Sequence, residues 1–221
     1  MSFTQDITLR GTHGTLVPLR PAHRADLSEA VRDGELWRLW YTMVPAPEAM
    51  AAEIERRLAL QCAGSMLPFA VLDVQGRAVG MTSFMNIDST HRRVEIGSTW
   101  YRGSVQRSAL NTECKRLLLG HAFDTLDCIA VEFRTHLLNH QSRRGIERLG
   151  AKLDGILRSH QLNRHPDAPD TLRDTCVYSI VAAEWPTVRA HLDHQLRRPR
   201  DSSAPSARLA ATPQPHTRDV P

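Results

Sequence analysis

Apolar residues recur at helical spacing near the start of the chain. Leu27, Ala30 and Val31 predict one helix, and Trp37 with Trp40 extends the apolar pattern into a second short helix. A longer helix is predicted from Pro47 to Cys62. Its apolar positions follow at intervals of four: Met50, Ile54, Leu58 and Cys62.

The pattern then changes to one typical of strands. Three antiparallel strands are predicted at 69–74, 78–86 and 93–101, because these segments are rich in β-branched and aromatic residues and are separated by turn residues. Strict alternation along the third strand places Glu95 with Gly97, Thr99 and Tyr101 on one face, unless Gly97 marks a bend or bulge.

Helical and strand-like segments alternate in the remainder of the chain. A helix is predicted at 109–126, a strand at 128–137, a short helix at 141–149, strands at 152–161 and 175–181, and a last helix at 185–196. With a short strand at 15–19, this order predicts an α+β fold: one domain with a mostly antiparallel, twisted sheet of six to seven strands flanked by helices. The loop 162–173 is long enough to border a substrate site.

Length and composition describe a protein with one substantial core. The 221 residues are 41% apolar, and no run approaches the roughly 18 consecutive apolar residues of a membrane helix. The start resembles no secretory signal, so we expect a cytoplasmic protein without a membrane partner. Residues 1–198 are expected to form the domain, and the Pro-, Ser- and Ala-rich segment 199–221 is expected to be a disordered tail.

Charge and cysteine usage narrow the function. The four cysteines lie far apart and form no CxxC pair, which argues against a zinc or redox motif. The net charge of +4 suits an anionic ligand. A basic nucleic-acid-binding module is a weak alternative, since the arginines are spread along the chain and no recognised nucleic-acid motif is present.

The segment 94–126 carries the clearest functional signal. A strand leads into a polar loop without acidic residues and then into an amphipathic helix. Because a helix start leaves N–H groups unsatisfied and carries partial positive charge, this order predicts a seat for phosphate. The structural alternative is an ordinary helix start capped by Ser108 or Asn111.

Several motifs together resemble the GNAT acetyltransferases, most closely the branch that includes bacterial N-terminal acetylases of ribosomal proteins. They are RVEIG at 93–97, QRSALNTE at 106–113, NHQS at 139–142, ERLGA at 147–151 and DG at 154–155. The resemblance covers roughly residues 6 to 190. It implies acetyl-CoA as the acetyl donor and direct attack by a primary amine in a ternary complex.

The resemblance also implies where acetyl-CoA binds. The pantetheine arm would bond the backbone of Thr99, Trp100 and Tyr101, with Asn139 at the end of the neighbouring strand. The pyrophosphate would lie on the loop and helix start formed by Gln106, Arg107, Ser108, Ala109, Leu110, Asn111 and Thr112. Ala109 and Asn111 replace the glycines usual in that family, and alanine can serve where its φ is negative. The arginines and lysine nearby, Arg102, Arg107, Lys115 and Arg116, suit the phosphates.

Two residues are candidates for catalysis. Glu95 can take a proton from the acceptor ammonium; the alternative is a strand carboxylate paired with Arg93 or another arginine. Ser142 matches a serine of the ribosomal acetylase branch and can donate to the departing thiolate; the alternative is a helix cap.

The acceptor is less well defined by the sequence. The resemblance places Trp37, Trp40 and Tyr41 in the early helical segment that borders the acceptor site, and one of them is expected to face substrate; the alternative is that they belong to the core. His136 or His140 can line the same site. Histidine spacing lacks the partners of a metal site, so no metal is expected. A protein N-terminus, a lysine and a small amine remain open as acceptors, a CoA-binding protein without catalysis remains an alternative, and the resemblance makes a homodimer an expected assembly.

Overall fold

A computed structural model describes residues 3–163 and 165–198. The predicted tail at 199–221 lies outside the described residues. Five α-helices have the bounds α1 Arg24–Arg32, α2 Met50–Cys62, α3 Ala109–Gly120, α4 His140–Arg148 and α5 Trp185–Arg197. Each corresponds to a helix predicted from apolar spacing, and α3 continues as a single π-helical turn at His121–Thr125.

Eight strands form one sheet. Their bounds are β1 Leu9–Arg10, β2 Thr15–Pro18, β3 Met66–Leu72, β4 Ala78–Asp88, β5 Arg93–Tyr101, β6 Ala130–His136, β7 Lys152–Leu162 and β8 Leu172–Val181. The spatial order is β1-β2-β3-β4-β5-β6-β8-β7, and β5 with β6 is the parallel pair among otherwise antiparallel neighbours. The mixed α+β fold is confirmed, with eight strands rather than six to seven because the two-residue β1 also pairs.

Helices cover both faces of the sheet. On one face α3 and α5 bury a cluster that includes Phe69, Phe84 and Tyr178. On the other, α1 and α2 bury a smaller cluster around Leu27 and Ile54. None of the helices in the described residues is long and apolar enough to cross a membrane.

Two local expectations need correction. The second short helix expected around Trp37 and Trp40 is only the three-residue 3-10 turn Leu36–Arg38, because Leu39 takes an extended conformation and ends it before Trp40. Cys62 is exposed although it continues the four-residue repeat from Met50. A helix has 3.6 residues per turn, so twelve residues at intervals of four rotate the position by about 120°.

Candidate active site

Strands β5 and β6 separate at the centre of the sheet. Their parallel pairing ends with Glu95 opposite Glu132, whereas β5 continues to Tyr101 and β6 to His136. We call the opening between these diverging ends the cleft. Backbone groups on strands that leave their neighbours need other hydrogen-bonding partners, and an extended ligand that carries amides can supply them.

A β-bulge interrupts β5 along the cleft. Between the pairs Ser83–Gly97 and Met81–Trp100, β4 has one residue and β5 has two. The first of the two, Ser98, has a left-handed φ of 49°. The bend or bulge that Gly97 suggested is therefore present, immediately after that glycine.

The bulge changes which side chains share a face. Tyr101 packs in the core under α3, and the Thr99 hydroxyl contacts α3 as well, whereas Trp100 packs under α1 and α2. The predicted grouping of Glu95 with Thr99 and Tyr101 is wrong, because the extra residue reverses the alternation beyond Gly97.

A buried arginine on α2 binds the bulge from one side. Arg57 is 1% exposed, and its guanidinium donates to the Ser98 carbonyl oxygen at 3.1 Å, to the Ser83 hydroxyl at 3.2 Å and to the Glu53 carboxylate at 2.7 Å. Sequence reasoning missed this residue. Its signal was helical phase, since seven residues make almost two full turns and place Arg57 below the buried Met50.

A buried lysine on α3 binds the bulge from the other side. The Lys115 ammonium lies 2.8 Å from the Thr99 hydroxyl and 3.4 Å from the Thr82 hydroxyl, and burial lowers its pKa to about 7. The sequence suggested that Lys115 would face phosphates. Instead, it lies under the sheet with two hydroxyl groups as its neighbours.

Glu95 lies where the cleft opens. Its side chain is 5% exposed, and its carboxylate accepts a hydrogen bond from the Asn86 amide at 2.7 Å and lies 3.5 Å from Arg134. Burial raises the pKa of this carboxyl group above its usual value, and the Asn86 and Arg134 contacts only partly oppose that effect. Gly97 permits this arrangement, because a Cβ there would lie 2.8 Å from a Glu95 carboxylate oxygen.

The structural alternative for Glu95 is only partly realised. Arg93 pairs with Glu132, at 2.7 Å, and not with Glu95. Arg134 supplies the arginine contact, but it also binds Glu132 at the shorter distance of 2.9 Å. The Glu95 carboxylate is thus buried and incompletely paired, which is the environment of a proton acceptor.

Aromatic side chains contact His136 at the end of β6. The rings of Trp40 and Tyr41 lie 5.2 and 6.3 Å from the His136 ring, centroid to centroid. Burial and the nearby Arg173 lower the His136 pKa, so this imidazole is neutral at pH 7. Trp37 packs against the core of α1 and α2, which leaves Trp40 and Tyr41 as the aromatic residues beside the cleft.

The loop between β7 and β8 packs against the same aromatic segment. The Asn163 amide donates to the Trp40 carbonyl oxygen at 3.3 Å, and a His165 ring nitrogen lies 3.1 Å from the Trp37 carbonyl oxygen. This loop therefore lies against the segment that carries Trp40 and Tyr41.

The loop before α3 has the features of an anion seat and also an ordinary cap. Ser108 caps the helix by accepting from the Leu110 N–H at 3.2 Å, and the Gln106 amide donates to the Tyr101 carbonyl oxygen at 2.9 Å. The left-handed residue is Arg107, with φ of 61°, whereas Ala109 begins the helix with negative φ. Alanine is therefore compatible with the backbone at the position where the family has glycine.

Some groups in the first turn of α3 already have partners within the protein. Leu110 is a core residue whose N–H is used by the cap, and the buried Thr112 hydroxyl accepts from Arg148 at 3.2 Å. The Asn111 side-chain oxygen is buried without a partner among the described residues. Ser108 satisfies one of the N–H groups that a helix start leaves free, so others remain for a ligand.

Two of the arginines expected beside the phosphates are held elsewhere. Arg102 pairs with Asp33 at 3.0 Å. Arg116 pairs with Asp193 at 2.9 Å and lies over the Trp185 ring. Because these two arginines are paired with carboxylates, an anion at the start of α3 would be bound mainly by backbone N–H groups.

Asn139 and Ser142 lie where β6 leads into α4. Asn139 caps α4, since its side-chain oxygen accepts from the Ser142 N–H at 3.0 Å. Ser142 is not the cap, and its half-buried hydroxyl makes no hydrogen bond within the described part of the chain. No group of three or more potential metal ligands occurs among residues 3–163 and 165–198.

Comparison with known proteins identifies the family. The family model of the acetyltransferase (GNAT) domain matches residues 14–152, more than half of the chain, and the protein belongs to that family. No curated protein sequence is similar enough to count as a relative.

Solved structures extend the comparison. A structure from T. thermophilus described as an acetyltransferase is 33% identical over 86% of this chain and 96% of its own, with a TM-score of 0.73. Mycobacterium smegmatis RimJ, solved with CoA-disulfide, is 20% identical over 89% and 98%, with a TM-score of 0.74. A RimL ribosomal L7/L12 acetyltransferase is 17% identical over 80% and 95%, with a TM-score of 0.69. The likeness to the ribosomal-protein branch is thus one of fold.

Proposed function

We propose that this protein transfers an acetyl group from acetyl-CoA to a primary amine by direct attack in a ternary complex. The observation that carries the proposal is the cleft itself: a parallel strand pair that opens immediately beyond a buried, incompletely paired carboxylate, Glu95. The family assignment supports acetyl transfer as the reaction class.

The residues around the cleft fit acetyl-CoA. The backbone of Thr99, Trp100 and Tyr101 follows the bulge on the side that β6 leaves, where pantetheine amides can bond. The loop 106–109 and the start of α3 offer backbone N–H groups to the pyrophosphate, with Ala109 in a compatible conformation. When bound, acetyl-CoA supplies the acetyl group as a thioester.

Glu95 performs the proton transfer in this proposal. An ammonium must lose a proton before its nitrogen can attack, and the raised pKa makes the Glu95 carboxylate a stronger proton acceptor than a solvated one. Asn86 holds the carboxylate in place through its hydrogen bond.

Ser142 is proposed to serve the leaving thiolate. Its hydroxyl has no competing hydrogen bond in the described residues and lies in the first turn of α4, which follows the end of β6 that borders the cleft. A hydroxyl can donate a hydrogen bond to sulfur. Asn139 fixes this position by capping α4, and we assign it to cofactor contact through its free amide group.

The setting of the reaction is also a proposal. All four cysteines are free thiols, three of them buried, which suits a reducing cytoplasm. The edge strand β7 exposes Leu153, Ile156 and Leu157, apolar surface that a second copy of the chain can cover. Sedimentation of the purified chain tests this homodimer.

The decisive experiment compares Glu95→Gln with the wild type. We expect kcat to fall by about 100-fold or more, in the range of general-base contributions, while acetyl-CoA affinity changes little. In the wild type, kcat/KM rises with pH through the raised Glu95 pKa because only the carboxylate accepts a proton; the variant lacks that dependence. The exposed Glu55→Gln is the control.

A thermal titration separates the enzyme from a CoA-binding protein. Acetyl-CoA stabilises any protein that binds it, and ATP serves as the unrelated nucleotide. Stabilisation with thiol release from a panel of amines supports the enzyme. Stabilisation without thiol release from any amine supports a CoA-binding protein, and unchanged turnover in a folded Glu95→Gln variant contradicts the role of Glu95.

A further inference from the structure

One guanidinium beside the cleft lacks a direct carboxylate contact among the described residues. Arg93 and Arg134 both bind Glu132, and Arg134 also approaches Glu95. Arg173 is half-buried and forms no ion pair within the described residues; its Nε donates to the Thr175 hydroxyl at 3.1 Å. The charge of Glu95 acts on Arg173 without direct contact, so this partly desolvated guanidinium keeps N–H groups that a bound anion would use.

Arg173 lies on the same face of the sheet as Glu95 and His136. In the pairing of β6 with β8, His136 stands opposite Thr175, and Arg173 is two residues from Thr175 on the same face of β8. Its hydrogen bond to Thr175 brings the guanidinium back over that position. The charge of Arg173 accordingly lowers the pKa of His136 and favours the ionised form of Glu95.

His136 supplies a second donor. Its Nδ1 accepts from the Leu138 N–H at 3.0 Å, so the proton of the neutral ring is on Nε2. His136 is 6% exposed, and Nε2 is buried without a hydrogen-bond partner among the described residues. Trp40 and Tyr41 pack against this ring.

The face therefore presents one proton acceptor, Glu95, and two side chains with N–H groups that have no acceptor among the described residues: His136 through Nε2, and Arg173 through the part of its guanidinium other than Nε. Glu95 matches an amine, whereas Arg173 and His136 match an anion with more than one oxygen. We propose that the acceptor amine carries a carboxylate a few bonds away, which Arg173 and His136 bind while Glu95 receives the amine. This inference rests on the proposed function, and it defines the substrate class of that same site.

Such an acceptor has two sources. One is a free amino acid, which carries its own α-carboxylate, and the other is a peptide N-terminus followed by an acidic residue. For the free amino acid, the pair of acceptors compared is serine and serinamide. For the peptide N-terminus, the pair is Ser-Glu-Ala and Ser-Gln-Ala, both amidated at the C-terminus. In each pair the amine is kept and the carboxylate is removed.

The test measures kcat/KM for both pairs with wild type and Arg173→Gln. We expect the wild type to prefer the carboxylate-bearing member of at least one pair by about 10-fold or more, as charge-assisted hydrogen bonds allow. Arg173→Gln should remove that preference, mainly by raising KM for the carboxylate-bearing member. Because the Arg173 charge also favours ionised Glu95, any change in proton transfer affects both members, and the informative quantity is the ratio of the two kcat/KM values. Arg158→Gln is the matched control, since Arg158 lies on β7, is exposed and pairs with Asp174.

Binding of the same acceptors to the CoA-saturated protein is measured by calorimetry as an independent readout. If the carboxylate-bearing member binds more tightly to the wild type than to Arg173→Gln, the inference is supported, even where no acceptor is acetylated. A lack of acetylation would then count only against the proposed function. The inference is overturned if Arg173→Gln lowers kcat/KM for both members of each pair by the same factor. It is also overturned if the wild type shows no preference for the carboxylate-bearing member in either kcat/KM or binding.

Discussion

Replacing Lys115 by methionine should change how the stability of the protein depends on pH. Lys115 is 6% exposed, and its ammonium contacts the hydroxyl groups of Thr99 and Thr82 without a carboxylate. Burial lowers its pKa from 10.5 to about 7. Methionine has a similar shape without the charge, and the two hydroxyls still bond each other at 2.7 Å.

The magnitude follows from linkage. Between pH 7 and 10.5 the unfolded chain binds a proton at Lys115 that the folded chain does not, so the free energy of unfolding rises with pH in that window, by about 1.4 kcal/mol per pH unit. Below pH 7 the whole cost of charging the buried amine opposes folding, about 5 kcal/mol for a pKa lowered this far. From pH 7.5 to 9 the wild type should therefore gain about 2 kcal/mol that Lys115→Met does not.

The assay is urea unfolding of both proteins at pH 7.5 and 9. Burial also raises the pKa of Cys114 to about 12 and of Cys128 to about 11, so ionisation of these thiols in the unfolded chain lowers stability with rising pH. Both proteins share that effect, and the informative quantity is the difference between them. Lys152→Met is the control, because Lys152 is the other lysine of the chain and is exposed.

A flat difference between wild type and Lys115→Met over this pH range would refute the reasoning. It would mean that Lys115 keeps an ordinary pKa in the folded protein, through access to water or a counterion. A pH-dependent difference of the same size in Lys152→Met would refute it equally, since that side chain is solvated in the folded state.

Two further predictions concern buried charged residues of α2 and α3, Arg57 and Glu113. Arg57→Met should lower the free energy of unfolding in urea by about 3 kcal/mol and weaken acetyl-CoA binding, because Glu53 and the bulge carbonyl lose their buried donor. Arg56→Met removes only an exposed partner of Glu53 and should lower it far less, so equal losses in the two variants would contradict the assignment. Glu113→Gln should cost about 1–2 kcal/mol in the same assay, because its carboxylate accepts three N–H groups of the turn 12–14; an unchanged midpoint would show that water replaces these bonds.

The sequence carried most of the fold. Apolar periodicity, residue types and helix start and stop signals together predicted the five helices and all strands but one, because burial of one face imposes a period on the order of residues. The two-residue strand β1 was not predicted, because two residues are too few to show an alternating pattern. The conformation of the turn after α1 was not predicted, because Glu35, a residue without a turn preference, takes a left-handed conformation there.

The candidate site was predictable in its residues but not in their orientation. Glu95 and the loop at 106–109 follow from motif and spacing. The face of Thr99 and Tyr101 could not be read from alternation, because one extra residue in a bulge reverses it and any residue can provide that extra position. Arg173 was missed for another reason: only the pairing of β6 with β8 brings it beside His136, a residue that the sequence analysis did name.

The buried cations and the cleft are parts of one arrangement. A bulge with a left-handed serine is unfavourable by itself and persists only when its surroundings stabilise it. Arg57 binds the Ser98 carbonyl from the side of α2, and Lys115 binds the Thr99 hydroxyl from the side of α3. These contacts fix β5 at the point where it leaves β6. The Arg57 guanidinium and the Lys115 ammonium, whose burial costs stability, therefore both maintain the opening. Helices that cover the sheet thus determine the cleft geometry as directly as the residues that line it.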